Sequence, residues 1–250
     1  AGVFLLGLLC TTATAGYWFD LVTRDAKKAE QFYTALFGWK SSYQGEDYWL
    51  LTRDGQPIGG IARLNAGEKH DPLWVMTIGV DDVNAAVRAA ESSGGKIHKQ
   101  PDRAPGLGLY AELFDPQGAP FILREGSLLE GLQRKENAWH WAELWTDAPD
   151  AAARFYSGVT GSKAGVAAGN YPVLYKESEI WGGYIEMPYQ GVKPLWMPYV
   201  KVKSIRTTLQ QAVSLGGKVL QEPSPDVYNG LVALLMDPSG AAFLIKGAEK

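Results

Sequence analysis

Two acids in this chain stand two residues beyond a tryptophan at matching places, in Trp18-Phe19-Asp20 and Trp141-Ala142-Glu143. Residues two apart on a strand project from one face, so each pair sets a carboxyl beside an indole. A carboxyl held against an aromatic surface loses water, which raises its pKa and makes it a candidate general acid or base. The competing reading is structural, with the tryptophan filling space and the acid bonded to backbone or arginine. The other chemistry-bearing residue types point elsewhere. His70 falls in a polar loop and His98 follows a glycine pair near a strand start, so both read as surface. His140 precedes Trp141, and alternation turns it to the opposite face. The three share no metal-binding spacing, and solvated or structural roles are expected for all of them. Gly59-Gly60 and Gly182-Gly183 are not phosphate loops, since no Lys-Ser/Thr follows and no helical pattern begins there. Strand bending or close packing is the expectation. Asp115-Pro116-Gln117-Gly118 and Asp237-Pro238-Ser239-Gly240 read as turns.

The elements that position these residues come from an internal repeat. Shifted by about 123 residues, the chain lays Tyr17-Trp18-Phe19-Asp20-Leu21 on His140-Trp141-Ala142-Glu143-Leu144, Phe32-Tyr33 on Phe155-Tyr156, and Gly59-Gly60 on Gly182-Gly183. With the shift one shorter, Pro72-Leu73-Trp74 meets Pro194-Leu195-Trp196, Gly94-Gly95-Lys96 meets Gly216-Gly217-Lys218, and Asp115-Pro116 meets Asp237-Pro238. Two halves follow, 16–126 and 138–248, joined by a polar linker at 127–137. Within the first, Trp18 to Val22 reads as a strand, and Ala29, Phe32, Tyr33, Leu36 and Phe37 recur at helical spacing until Gly38 stops the helix. Strand-like runs follow at 48–52 and 57–64, then the cycle starts again at Trp74. Each half is strand, helix, and two or three strands, twice over.

These residues resemble the vicinal oxygen chelate superfamily, which includes glyoxalase I, extradiol dioxygenases and bleomycin-resistance proteins. The resemblance rests on Phe32-Tyr33-Thr34-Ala35-Leu36-Phe37-Gly38-Trp39, on Val80-Asp81-Asp82-Val83, and on Phe114-Asp115-Pro116-Gln117-Gly118, with their second-half counterparts. It implies an α+β fold of four βαβββ modules, forming two tandem domains with cupped mixed sheets. Metal-dependent members place His, Gln or Glu on the first and last strands of the modules. Those positions fall here on Trp18, Trp141, Val75, Met197, Ile122 and Leu244, none of which binds a hard or borderline metal. Only Arg63 and Glu186 stand near the remaining ligand positions, and one Glu is not a site. No metal and no other cofactor is expected, a divalent metal being the alternative.

The cups implied by the resemblance then hold Trp18, Asp20, Val75, Thr77 and Ile122 in the first half. The second holds Trp141, Glu143, Met197, Tyr199, Ala242 and Leu244. Each reads as an aromatic, mostly apolar pocket with one acid, suited to a small flat ligand. Trp18, Asp20, Thr77, Trp141, Met197 and Leu244 are the expected ligand contacts, and Glu143 with Tyr199 as donor is the candidate acid–base pair. Trp74 and Trp196 are expected to pack at the joint between modules.

Composition bounds the rest. The chain has 250 residues, 46% hydrophobic and 20% charged, with 24 Lys+Arg against 27 Asp+Glu. That excludes a disordered chain, and the absence of a basic run argues against a nucleic-acid partner. Ala1 to Leu9 is uncharged and apolar, too short to span a bilayer. Followed by Ala13-Thr14-Ala15, and lacking a basic start and an initiator Met, residues 1–15 read as the remainder of a signal peptide. The mature protein would then be periplasmic or secreted, without stable membrane insertion and without its one cysteine, Cys10. A buried N-terminal element and a cytoplasmic location form the alternative. Four modules complete two cups within one chain, so a monomer or a homodimer is expected. Three functions stay open: a metal-free small-molecule binding protein, a lyase, isomerase or dioxygenase-like enzyme using Glu143 and Tyr199 or an atypical metal site, and a scaffold with filled cups.

Overall fold

The computed structural model describes residues 17–64, 67, 70–104, 108–126 and 135–247. The expected signal segment 1–15 with Cys10, and most of the expected linker, lie outside the described residues. The first module runs β1 (Trp18–Thr23), α1 (Ala26–Phe37), β2 (Lys40–Gly45), β3 (Tyr48–Arg53) and β4 (Gln56–Arg63). The second runs β5 (Leu73–Val80), α2 (Val83–Ser92), β6 (Lys96–Ala104), β7 (Gly108–Phe114) and β8 (Pro120–Glu125). In the second half come β9 (Trp139–Thr146), α3 (Pro149–Thr160), β10 (Lys163–Ala167), β11 (Tyr171–Lys176) and β12 (Glu179–Glu186). The last module is β13 (Leu195–Lys201), α4 (Ile205–Ser214), β14 (Lys218–Gln221), β15 (Val232–Met236) and β16 (Ala242–Lys246).

Local chemistry sets these boundaries. Asp25, Asp82 and Ser204 cap α1, α2 and α4 through their side chains, and α3 starts instead on a proline. Gly38 and Gly161 close α1 and α3 in the left-handed conformation, at φ 72 and φ 69. Three strands follow every helix. The extra strands β2 and β6 are polar, and Pro101 sits in β6; both lie at the edges of their sheet, where such residues blunt further pairing.

Each half is one open eight-stranded mixed sheet, in the order β2-β3-β4-β1-β5-β8-β7-β6 and its repeat β10-β11-β12-β9-β13-β16-β15-β14. Register places Trp18 opposite Thr77, which lies opposite Ile122, which lies opposite Glu112. The second sheet matches it with Trp141, Tyr199, Leu244 and Leu234. Val75 and Met197, expected level with the tryptophans, sit one row along, opposite Asp20 and Glu143.

One core joins the halves. Phe19, Leu21, Met76 and Phe121 on the outer face of the first sheet share it with Leu144, Trp196 and Phe243 of the second and with all four helices. The inner faces carry separate clusters, around Val22, Tyr48 and Ile122 in one sheet and around Trp145, Met197 and Tyr199 in the other. Simple alternation would put Trp139 on the same face as Trp141. A bulge in β9, between its pairings with Tyr199 and Val200, sends it into the shared core instead, against Trp39 and Trp74.

Contacts across the halves come in symmetric pairs. The Trp139 indole donates to Ile58 O at 2.8 Å, and the Tyr17 hydroxyl to Trp181 O, the repeat counterpart of Ile58, at 2.7 Å. The Tyr156 hydroxyl reaches Asp115 Oδ2 at 3.2 Å, and Tyr33 faces Asp237 in the same manner. The Asp-Pro-x-Gly turns are therefore docking points for the opposite half. Gly95 and Gly217, which follow α2 and α4, leave room for Phe155 and Phe32 of the opposite half. A Cβ would stand 3.0 Å and 2.9 Å from those rings.

Candidate functional site

The strongest convergence of polar groups lies on the inner face of the second sheet. Glu143, on β9, is 1% exposed. Its Oε1 accepts from the Trp145 indole at 2.8 Å and from the Tyr199 hydroxyl at 2.8 Å, and its Oε2 accepts from the hydroxyls of Tyr171 and Tyr228. Four donors match the roughly four lone-pair sites of a carboxylate. Trp141 acts one step back, donating from its indole to the Tyr171 hydroxyl at 3.0 Å. Burial first, then the Glu143 carboxylate, hold the phenols of Tyr199, Tyr171 and Tyr228 above their ordinary range. All three stay protonated donors at neutral pH. Met197 and Leu244 complete the apolar floor.

These donors come from different elements. Trp145 and Glu143 share a face of β9, Tyr171 opens β11, Tyr199 lies on β13, and Tyr228 stands in a single helical turn between β14 and β15. Tyr171 reaches the acid because Gly183, paired with Glu143, has no side chain. A Cβ there would stand 1.9 Å from the Tyr171 hydroxyl.

The first sheet repeats the plan with fewer donors. Asp20, 2% exposed, accepts from the Trp18 indole at 2.8 Å and from the Tyr48 hydroxyl at 2.8 Å. Gly60 clears the way for Tyr48, where a Cβ would lie 2.0 Å from its hydroxyl. Burial pushes the Asp20 pKa up to about 6, against the hydrogen bonds from Tyr48 and Trp18 and the nearby charge of Arg124. Thr77 takes the place of Tyr199, and its buried hydroxyl makes no hydrogen bond.

This cup is more charged than the expected one-acid pocket. Glu112, 3% exposed, lies 4.0 Å from His98, and the Arg124 guanidinium sits 6.0 Å from the Trp18 ring centre. His98 is exposed, as expected, with its ring turned toward Glu112 and Phe114. Asp20, Val75, Ile122, Glu112 and His98 are among the residues around a cavity of about 20 Å³, room for about one water. Glu112 and Arg124 lie on β7 and β8 and join the site through register.

Sequence reasoning placed Trp18, Asp20, Thr77, Trp141, Glu143, Met197, Tyr199 and Leu244 on the two inner faces, and the structure puts all eight there. It missed Tyr48, Tyr171, Trp145 and Tyr228. A signal for two of them existed, since Tyr48 and Tyr171 are one repeat apart and face the two glycine pairs.

The donor sets do not suit a divalent cation. Beside Asp20 in the sheet stand Gly60 and Val75, and beside Glu143 stand Gly183 and Met197. The carboxylate oxygens are ringed by N–H and O–H groups, which offer hydrogens where a metal needs lone pairs. Asp20, Glu112 and His98 share a cavity, yet among the described residues no group of three His, Cys, Asp or Glu is close enough to hold a metal ion.

The fold recurs in the Mn(II)-bound glyoxalase of Novosphingobium aromaticivorans. That likeness has a TM-score of 0.66 at 15% identity, over 94% of this chain and 82% of that one. It recurs too in homoprotocatechuate 2,3-dioxygenase of Brevibacterium fuscum complexed with 3,4-dihydroxyphenylacetate. There the TM-score is 0.66 at 13% identity, over 95% and 82% of the two chains. Closer in sequence is CFP32 of Mycobacterium tuberculosis, a protein named as a glyoxylase, 35% identical over 91% of this chain and 92% of its own. The anthracycline biosynthesis protein DnrV of Streptomyces peucetius is 30% identical over 91% of both chains. The profile of the Glyoxalase/Bleomycin resistance protein/Dioxygenase superfamily matches residues 17–123. With that match, relatives aligned over nearly their full length and the twice-repeated modules, the chain belongs to the Glyoxalase/Bleomycin resistance protein/Dioxygenase superfamily.

Proposed function

We propose that this protein binds a small, flat, largely apolar molecule in its second cup, with Glu143 as the polar anchor. The observation that carries this reading is the ring of three phenols and one indole around a carboxylate 1% exposed. Aromatic and apolar walls with a few converging polar groups are the usual composition of a small-molecule site. Relatives named for anthracycline biosynthesis support an aromatic ligand class. The first cup, with space for about one water, serves packing in this reading.

Tryptophan fluorescence tests it directly. A panel of planar aromatic compounds is expected to include members that quench emission saturably, with binding weakened several-fold in Trp141→Ala. No saturable quenching by any member would leave both cups as filled packing.

Acid–base catalysis is a second reading, favoured by the Tyr199 hydroxyl at 2.8 Å from Glu143 Oε1. The residues support the carboxylate taking a substrate proton while protonated Tyr199 donates a hydrogen bond. Under this reading Glu143→Gln retains ligand binding and loses turnover by about a hundredfold or more. Export, read from residues 1–15, is a separate part of the proposal. N-terminal sequencing of the protein recovered from its native host should begin at Gly16.

A further inference from the structure

Among the donors to Glu143, Tyr228 differs in origin. Trp145, Tyr171 and Tyr199 are strand residues, whereas Tyr228 belongs to a turn between β14 and β15. It is 41% exposed, against 4% for Trp145 and 3% for Tyr199. Its backbone is left-handed at φ 46, and Asn229 follows at φ 55, a conformation disfavoured for residues with a Cβ. The turn is closed by short-range bonds, Val227 N to Ser224 O, Gly230 N to Val227 O and Leu231 N to Tyr228 O. On one side of it a surface groove of about 440 Å³ runs between Arg206, Leu209 and Gln210 of α4 and Glu222, Pro223 and Gly230. The Tyr228 ring itself packs into the second cup. It stands edge-to-face with Tyr171 at 6.0 Å and with Tyr199 at 6.5 Å, its hydroxyl on Glu143 Oε2.

We propose that Tyr228 is a resident stand-in for the ligand, and that the second cup recognises a hydroxyarene whose ring displaces that of Tyr228 and whose O–H donates to Glu143 Oε2 in its place. The proposal rests on the second cup being a binding site. The class follows from the acceptor that displacement uncovers. A hydroxyarene restores the fourth hydrogen bond, whereas an arene without a donor leaves a buried carboxylate oxygen short of one. An ionised carboxylate on the ligand could not supply it. Because the tyrosine must leave first, it lowers apparent affinity by the fraction of protein with the seat empty.

The test compares 2-naphthol with 2-methoxynaphthalene, matched in ring and differing in the donor, by titration against the full chain, its Tyr228→Ala and Tyr228→Phe variants, and Glu143→Gln. In the wild type 2-naphthol is expected to bind about tenfold more tightly than the ether, the effect of one unmade hydrogen bond. Tyr228→Ala is expected to tighten 2-naphthol binding severalfold. Tyr228→Phe should tighten it less, since the ring still competes, and Glu143→Gln should narrow the gap between the two compounds. Equal binding of the pair, or weaker 2-naphthol binding in both Tyr228 variants, overturns the stand-in and leaves the cup as a binding site. Binding of neither compound to any variant overturns the cup reading and the stand-in with it. Thermal melts of the variants separate loss of fold from loss of binding.

Discussion

Asp20 and Glu143 occupy equivalent places yet differ in how they are satisfied. Glu143 gathers four donors, and Asp20 two with Arg124 nearby. The raised Asp20 pKa has a definite sign in stability. Its folded value of about 6 lies above the ordinary 3.8. Below pH 3.8 both states hold the proton and there is no penalty. As pH rises from about 4 through 6, the unfolded chain ionises first and stability falls, by on the order of 3 kcal/mol in total. Urea unfolding of the wild type and Asp20→Asn at pH 4 and pH 7 should therefore show the wild type losing stability relative to the variant by about that amount. An unchanged difference would mean that Asp20 is solvated. Thr77, buried without a hydrogen bond, gives a smaller test. Thr77→Val removes an unsatisfied hydroxyl at almost constant shape and is expected to stabilise by about 1 kcal/mol.

The strands place these groups, and the glycine pairs decide whether the tyrosines reach them. Gly183 and Gly60 lie beneath the hydroxyls of Tyr171 and Tyr48, where a Cβ would stand 1.9 Å and 2.0 Å away. Gly183→Ala must therefore move Tyr171 or the β12 backbone. The expected cost is about 1–3 kcal/mol in the midpoint of unfolding, as for overpacked cores, together with weaker binding of the aromatic ligand. Gly161→Ala is the control: it is strained at φ 69 with nothing near its Cβ, so it should destabilise and leave binding intact.

The two halves carry their cups on faces outside a common core, and their mutual contacts are reciprocal. Trp39, Trp74 and Trp139 meet in that core with ring centres 4.9 Å apart in two of the pairs. Separating the halves would expose this apolar surface on both. Fragments 17–126 and 135–247 should each be poorly soluble alone and recover folded protein when co-expressed. A fragment showing a cooperative melt on its own would contradict the shared core. Trp139→Ala, which removes the bridging indole and its bond to Ile58 O, should cost about 3–5 kcal/mol in a single unfolding transition.

Periodicity and the internal repeat determined much of this protein: four modules, the first helix with its stop at Gly38, and an acid beside a tryptophan on one face of β1 and β9. These are local matters, settled by neighbours within a few residues or by likeness between the halves. The edge strands β2 and β6 escaped because polar, exposed strands carry no hydrophobic alternation, and the β9 bulge escaped because one extra residue leaves no mark in composition. Tyr199 was expected beside Glu143 from the repeat, and the tertiary structure alone added Tyr171, Tyr228 and Trp145 to it. Tyr171, Tyr199 and Tyr228 lie 28, 56 and 85 residues from Glu143 in sequence. They converge through strand register and the course of one turn. Register likewise carried Glu112 and Arg124 into the first cup. Such meetings depend on the energy of a folded sheet, where one residue of slip sends every side chain to the opposite face.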